Sequence, residues 1–382
     1  MEQRLVIEQF DPESPKPGGI DTHIRGLVRY CPPEIQLRIA GVDAIGNKRL
    51  GRWIESDIGG RIVEFMPVAR LDPGNIRRSR PHSAWVAYGL RKYRPAADAD
   101  VVNTHRLNLG AVALRLYPNA GHVQYLHGTG IDDLKTGSGS LFRHAFFTYR
   151  WLERYVLPKS VDAVVFNKAG AERLSAISHS VRFSPNWFDP AEFFPPEKES
   201  AMKSRIIWPC RIEPQKNPEL AIDVMSALPE RYTLTVAGSG ALEPAMRRRA
   251  ADSPAASRIR FVGAIPKSEM GSVMRKHDML LMTSRFEGFP YAVVEGLASG
   301  LPVVTTPGGE PNGLVQNGVN GARVTDDRPE LFVSAVELAA SITARAARDS
   351  VARLNATTLV PEVLRLPRAR RDPSGNGGDS AC

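Results

Sequence analysis

Two glutamates in RFEGFPYAVVEG, residues 285 to 296, invite a chemical reading first. Glu287 stands on a Gly-Phe-Pro turn, and Glu295 stands inside an apolar stretch where a carboxylate is rarely left without a partner. Taken alone, they suit general acid–base work, one carboxyl giving a proton and the other taking it. Arg211 and Lys216 of WPCRIEPQKNPEL precede a helix start marked by Asn217 and Pro218. Two fixed cations beside a helix N-terminus suit a diphosphate, although the same residues also read as a solvated basic turn. KPGGIDTHI carries Gly18 and Gly19 between an apolar run and helical spacing, as either a phosphate-facing loop or a tight strand–helix turn. It lacks GxGxxG spacing, so a dinucleotide site is not supported. His127 of VQYLHGTGIDDL closes an apolar run ahead of a glycine-rich loop. A neutral imidazole there can hydrogen-bond a sugar hydroxyl or shuttle a proton. His105 of VVNTH ends another run and reads as a structural histidine.

Other chemistries find little support. Asp98 and Asp100 of DADVV form an Asp-x-Asp, but they precede the apolar run. That puts them at the wrong end of a strand to hold a cation on a diphosphate. IDDLK and TDDRP are loop acids. No His/Cys/Asp grouping has metal-site spacing, and neither GxSxG nor GxxxxGK[ST] occurs. No metal and no cofactor are expected.

The candidate residues need strand ends to hold them. Short apolar runs alternate with amphipathic stretches along most of the chain, the pattern of parallel sheets covered by helices. In the first half the runs are 4–10, 36–42, 61–68, 99–105, 121–127 and 161–167, with helical spacing at 20–30. In the second they are 205–212, 232–238, 258–264, 278–284 and 301–307, with helices over 217–228 and 268–277. Between the two sets, SPNWFDPAEFFPPEKES breaks the rhythm with prolines and charge. The predicted organisation is a first domain over 1–185, a linker over 186–203 and a second domain over 204–345. A C-terminal helix and a basic, glycine-rich disordered tail fill 346–382. The fold class is α/β, with two doubly wound Rossmann-like domains. Such sheets bind ligands at their strand C-termini, so the site belongs in a cleft between them.

Composition bounds the partners. The chain of 382 residues is 42% hydrophobic and carries a net charge of +9, which favours anionic partners without choosing among them. Residues 140–159 combine Phe142, Phe146, Tyr149 and Tyr155 with Arg143, Arg150 and Arg154. They read as a core helix with a basic outer face or as a membrane-surface helix. IRRSRPHSAW (76–85) is a second basic segment and a candidate acceptor loop near anionic headgroups. The basic residues lack an aromatic platform for nucleic acid. Cys31, Cys210 and Cys382 suggest no disulfide framework, which points to a reducing compartment. No signal peptide and no membrane-length apolar run are read. The expected location is cytoplasmic, with the inner membrane face as a candidate peripheral site.

Together these motifs resemble the retaining glycosyltransferases of family 4, which have the GT-B fold. The likeness covers roughly residues 4 to 340 and is strongest over 204–324. Glu287-Gly-Phe-Pro through Glu295 is similar to the family's E-x7-E motif, Arg211 and Lys216 to its diphosphate pair, and Gly18 and Gly19 to its N-terminal loop. His127 matches its strand-end histidine, and Pro185, Asn186, Asp189 and Phe193 match its linker motif. PNGLVQNG departs from the family's Pro-Glu, with Asn312 following Pro311 and one residue inserted; the match is poor after 340. The resemblance implies transfer of a hexose from a GDP- or UDP-sugar, with retention and without a metal, to a glycan or lipid-linked acceptor in cell-surface polysaccharide or glycolipid synthesis. It implies that Arg211, Lys216 and the Gly18–Gly19 backbone stabilise the diphosphate, and that Glu295 binds the ribose. Glu287 and the backbone of Phe289, Pro290 and Tyr291 orient the sugar. His127 touches its hydroxyls or positions the acceptor, and Gly263 and Ile265 flank the base. A nucleotide-sugar epimerase or hydrolase of the same fold, and a non-catalytic partner subunit, are the alternatives.

Overall fold

The computed structural model describes residues 1–15, 18–71, 82–128 and 146–367. Most of the basic segment 76–85, the loop acids of IDDLK, the start of the aromatic helix with Phe142 and Arg143, and the tail beyond 367 lie outside the described residues, as does the side chain of Phe146. Among the described residues the first sheet holds β1 (Glu2–Ile7), β2 (Ile35–Asp43), β3 (Ile54–Asp57), β4 (Ile62–Arg70), β5 (Val101–Thr104), β6 (Gly121–Leu126), β7 (Asp162–Val165) and β8 (Val181–Phe183). Their order is β3-β4-β2-β1-β5-β6-β7-β8, parallel except for β3, which runs antiparallel to β4. The second sheet holds β9 (Arg205–Trp208), β10 (Thr233–Ala237), β11 (Ile259–Gly263), β12 (Met279–Met282), β13 (Val303–Thr305) and β14 (Gly321–Arg323). Its order is β11-β10-β9-β12-β13-β14, with parallel pairing throughout.

Both sheets reverse their winding beside their first strand. The chain moves outward from β1 in one direction, returns, and moves outward from β5 in the other. It repeats this at β9 and β12. Loops leaving the C-terminal ends of two such adjacent strands splay to opposite faces and open a crevice. The crevices lie between the loops after β1 and β5 in the first sheet, and after β9 and β12 in the second.

The stretch read as a linker is an anchor over its first half. Trp187, Phe188 and Phe193 are all at most 2% exposed and join one continuous apolar core that runs through both sheets. A fully buried side chain of this size contributes about 1.5–3 kcal/mol or more. The ion pair between Arg29 and Asp189 beside them is partly exposed and is worth under ~1 kcal/mol. Apolar burial therefore fixes this segment. The chain then crosses back. Phe188 N–H donates to the Leu354 carbonyl, and Ala356 N–H donates to the Phe188 carbonyl. The C-terminal helix Ala356–Leu364 packs on the first helix, Gly19–Arg29. Arg4 and Arg182 donate to the carbonyls of Leu364 and Val363. The poor sequence match after 340 thus conceals a short helix that does return to the first domain.

Candidate functional site

The loop after β9 is built on hydrogen bonds to the loop after β12. Trp208 Nε1 donates to Thr283 Oγ1 at 2.8 Å, and that hydroxyl donates to the Lys216 carbonyl at 2.8 Å. Arg285 N–H donates to the Gln215 carbonyl, and Gln215 Nε2 donates to the Phe286 carbonyl. Asn217 adopts a left-handed conformation with φ 48°, which turns the chain out of the short 3-10 turn at Pro214–Lys216 into the helix Pro218–Ala227. This framework brings the Lys216 ammonium to 2.5 Å from a Glu287 carboxylate oxygen, with both side chains mostly buried. Arg211 is more exposed and pairs with Glu213 at 2.9 Å. Two residues read from separate motifs therefore meet because β9 and β12 are the strands at the winding reversal.

Glu295 lies one helix further in, on Tyr291–Ala298, and is 5% exposed. Its charge is met by Lys267, at the start of the helix that follows β11. Lys267 escaped the sequence reading, although it stands two residues beyond Ile265 in GAIPKSEM. Gly263 has φ +77° and open space where a side chain would begin, and Ile265 is half-buried. This rim leaves room for a flat ring. Glu310, fully buried, was also missed. It accepts from the backbone N–H groups of Asn312, Leu314 and Val315 and so shapes the loop that departs from the family's Pro-Glu.

The first domain closes over this set from the opposite side. A Cβ added at Gly288 would lie 2.2 Å from the His127 carbonyl oxygen, so only glycine allows that approach. Asn312 Nδ2 donates to the Gly288 carbonyl at 2.6 Å, and Asn167 Nδ2 reaches the same oxygen at 3.4 Å. Asn186 of the linker motif donates to the Phe289 carbonyl at 2.7 Å. The Tyr291 ring lies 3.6 Å from where a Gly19 side chain would begin, and Gly18 faces open space. Gly18 precedes the helix Gly19–Arg29 without a side-chain cap, which leaves backbone N–H groups at the cleft. A cavity of about 320 Å³ beside Phe289 and Leu314 lies apart from the charges, since Lys216, Glu287, Arg211 and Glu295 do not line it.

His127 sits in a stack of rings. It lies parallel to Phe166 and to His105, and His105 lies parallel to Tyr125. His105 Nδ1 and His127 Nε2 are 2.9 Å apart and share one hydrogen bond. His23 closes the group edge-on, and the Tyr291 hydroxyl reaches its Nδ1 at 3.4 Å. Burial, helped by the Arg106 charge, pushes His127 down to about 3. His23 and His105 are held well below the usual histidine range for the same first reason. All three are neutral near pH 7, so hydrogen bonding suits His127 better than delivery of a proton from an imidazolium. The expectation that His105 is merely a satisfied structural residue needs correction. It fixes one nitrogen of His127, and its own Nε2, like that of His23, is buried without a hydrogen-bond partner among the described residues. Nitrogens of the three rings lie within 4.8 Å of one another, close enough to share a soft divalent ion. Among the described residues no carboxylate belongs to the group, and the Arg106 charge opposes a cation there. Arg106 itself pairs at 2.7 Å with Glu8, which is 2% exposed. This pair spans the winding reversal of the first sheet and was not singled out from the sequence. Asp98 and Asp100 stay at the N-terminal edge, where they bind Arg38 and the Gln3 N–H.

The chain is similar to several known proteins. Residues 203–341 match the family model described as Glycosyl transferases group 1. The chain is 29% identical over 144 residues to the D-inositol 3-phosphate glycosyltransferase of Jonesia denitrificans, which is 35% of this chain and 34% of that protein. It is 22% identical over 260 residues to the UDP-Gal:alpha-D-GlcNAc-diphosphoundecaprenol alpha-1,3-galactosyltransferase of Escherichia coli, covering 62% of this chain and 65% of that one. The matched spans are therefore about a third and under two thirds of those relatives' lengths. The solved structure of sucrose-phosphate synthase from Thermosynechococcus elongatus superposes with a TM-score of 0.78 at 16% identity, covering 95% of this chain and 97% of that one. The two facing parallel-sheet domains are the GT-B fold.

Proposed function

We propose that the protein is a glycosyltransferase that moves a hexose from a nucleoside diphosphate sugar to an acceptor hydroxyl, with retention at the anomeric carbon. The observation that carries this reading is the convergence of Lys216, Glu287, Glu295, the Gly18–Gly19 helix start and His127 on one interdomain cleft. The names of the sequence relatives support the class of reaction. As the bond from the anomeric carbon to the diphosphate oxygen breaks, charge grows on the leaving phosphate. Lys216, Arg211 and the free N–H groups before the first helix would stabilise it. The acceptor oxygen bonds to the same face of the carbon, and its proton passes to the departing phosphate oxygen. Glu287 would orient the sugar once Lys216 turns to the phosphate, and His127 would hold a sugar hydroxyl. Glu295 would bind the ribose, with Gly263 and Ile265 beside the base. The Glu8–Arg106 pair on the first domain's rim suits an acceptor, either a glycan or a lipid-linked sugar. Cationic side chains meet the diphosphate charge in this scheme, so no metal is required.

Incubation with UDP- and GDP-hexoses, with and without candidate acceptors and with EDTA, tests this directly. Product formation that depends on acceptor and survives EDTA is expected. Free sugar release with no acceptor product would point to a hydrolase instead. Loss of turnover in EDTA, restored by magnesium, would overturn the cation-only clamp.

A further inference from the structure

The ring cluster of the first domain holds more ligating nitrogens than a hydrogen bond to one sugar hydroxyl uses. His23 stands on the helix Gly19–Arg29, His105 directly after β5 and His127 directly after β6. Among the described residues they form the one group of three ligating side chains whose nitrogens lie within 4.8 Å of one another. Nε2 of His23 and Nε2 of His105 have no hydrogen-bond partner among the described residues, although these side chains are 0% and 4% exposed. Ring nitrogens buried in this way are costly, and a bound ion is one of the few groups that can satisfy them. The third ring, His127, is only half-buried, which leaves an approach from the cleft.

We infer that His23, His105 and His127 form a reversible binding site for Zn2+, whose occupancy competes with the sugar for His127. Neutral imidazoles suit zinc, whereas magnesium and calcium need oxygen ligands. Tetrahedral bonds of ~2.05 Å set the ligand nitrogens about 3.4 Å apart. The His105–His127 pair at 2.9 Å must therefore open, and the widest pair in the group must close by up to about 1.4 Å. Burial already keeps the three rings neutral, so the ion displaces no proton. The hydrogen bond between His105 and His127 breaks. Each ring gives the ion the lone pair of one nitrogen and keeps its proton on the other, while the ion sheds water. A fourth position stays open to water from the cleft. Arg106 disfavours a cation, but Glu8 at 2.7 Å offsets its charge, and the second Glu8 carboxylate oxygen has no hydrogen-bond partner. With no carboxylate or thiolate among the described ligands, the ion is an exchangeable inhibitor rather than part of the transfer chemistry. The inhibition rests on the proposed glycosyl transfer; binding of the ion does not.

Equilibrium dialysis of the EDTA-stripped full chain against Zn2+, beside absorption spectra with Co2+, tests the site with no sugar present. One zinc per chain and the visible bands of a four-coordinate, nitrogen-ligated Co2+ are expected. Excess magnesium should displace neither. His105→Gln and His127→Asn should each weaken zinc binding by about 100-fold or more, because even the outer partners of metal ligands carry losses approaching that. Melting temperature shows which variants fold, and either folded one suffices. Should neither fold, the cobalt spectrum decides, since surface oxygen ligands give only the weak bands of a six-coordinate ion. Less than one zinc per chain, or cobalt without four-coordinate bands, overturns the proposal. So does a folded variant that binds zinc like wild type, which would place the ion elsewhere on the chain. Unchanged turnover with the site filled overturns its competition with the sugar. One bound zinc on a chain that transfers no sugar upholds the site and removes the transfer reading alone.

Discussion

In the proposed reaction Lys216 cannot serve a donor phosphate while its ammonium is turned to Glu287, so the pair at 2.5 Å would be a resting arrangement that substrate rearranges. In the proposed transition state the lysine would meet developing charge, and the glutamate would be freed for sugar hydroxyls. Lys216→Ala and Glu287→Ala are each expected to lower kcat/KM by ~10²-fold or more. The double variant should lose less than the product of the two losses, because residues in contact are not additive. Near-wild-type turnover in Lys216→Ala would remove the diphosphate clamp. The three histidines of the ring cluster, His23, His105 and His127, make a different forecast. Their folded-state values lie below the unfolded one, so the unfolded chain takes up protons first as pH falls. The stability contributed by their neutral forms is complete above pH 6.5 and is lost as pH drops toward the folded values, about 3 for His127. Each adds up to ~1.4 kcal/mol of loss per pH unit in that window. Urea unfolding at pH 7 and pH 5.5 should show this slope, and His105→Gln should flatten it. A pH-independent midpoint would mean the rings are not buried neutral in solution.

At the scale of elements, much of the architecture was legible, because parallel strands buried on both faces read as apolar runs. The strands missed are short or lie at sheet edges: Ile54–Asp57, Val181–Phe183 and Gly321–Arg323. Edge pairing with one strand leaves little hydrophobic signature. The stretch from Glu287 to Glu295 and the loop from Arg211 to Lys216 stand out in the sequence because each lies in one segment, and their donor roles are proposals. His23 and His105 gain meaning only when three strand ends and a helix bring their rings together, and no local spacing announces that. Lys267 and Glu310 act through partners far away in sequence or through backbone geometry. Gly288 is the sharpest elemental prediction. Its backbone meets the His127 carbonyl across the cleft, so a methyl group there must hold the loops apart. Gly288→Ala is expected to reduce kcat by more than ~10²-fold, since small misplacements across a reacting cleft carry such losses. Nucleoside diphosphate affinity, which the proposed site draws mainly from the second domain, should change little. Calorimetric titration beside a turnover assay checks this, and unchanged kcat would mean the loops need not touch during transfer.

The whole molecule is held by two passages of chain that meet at Phe188. The helix Ala356–Leu364 buries Val360, Val363 and Leu364 against the first domain. Truncation after Leu354 strips that contact and should cost several kcal/mol, at about 1.5–3 kcal/mol for each buried side chain. Calorimetry is expected to show a lower or divided melting transition. An unchanged single transition would mean the helix contributes nothing to coupling the halves. The same route of the chain has a consequence for cleavage. Glu197, Lys198 and Glu199 are exposed in the first passage, well before the return at Asn355. A single tryptic nick after Lys198 severs the backbone, yet the later fragment still carries the helix that is docked in the earlier one. The two pieces are interlaced rather than merely adjoining, so the nicked protein should elute as one particle and come apart only in denaturant.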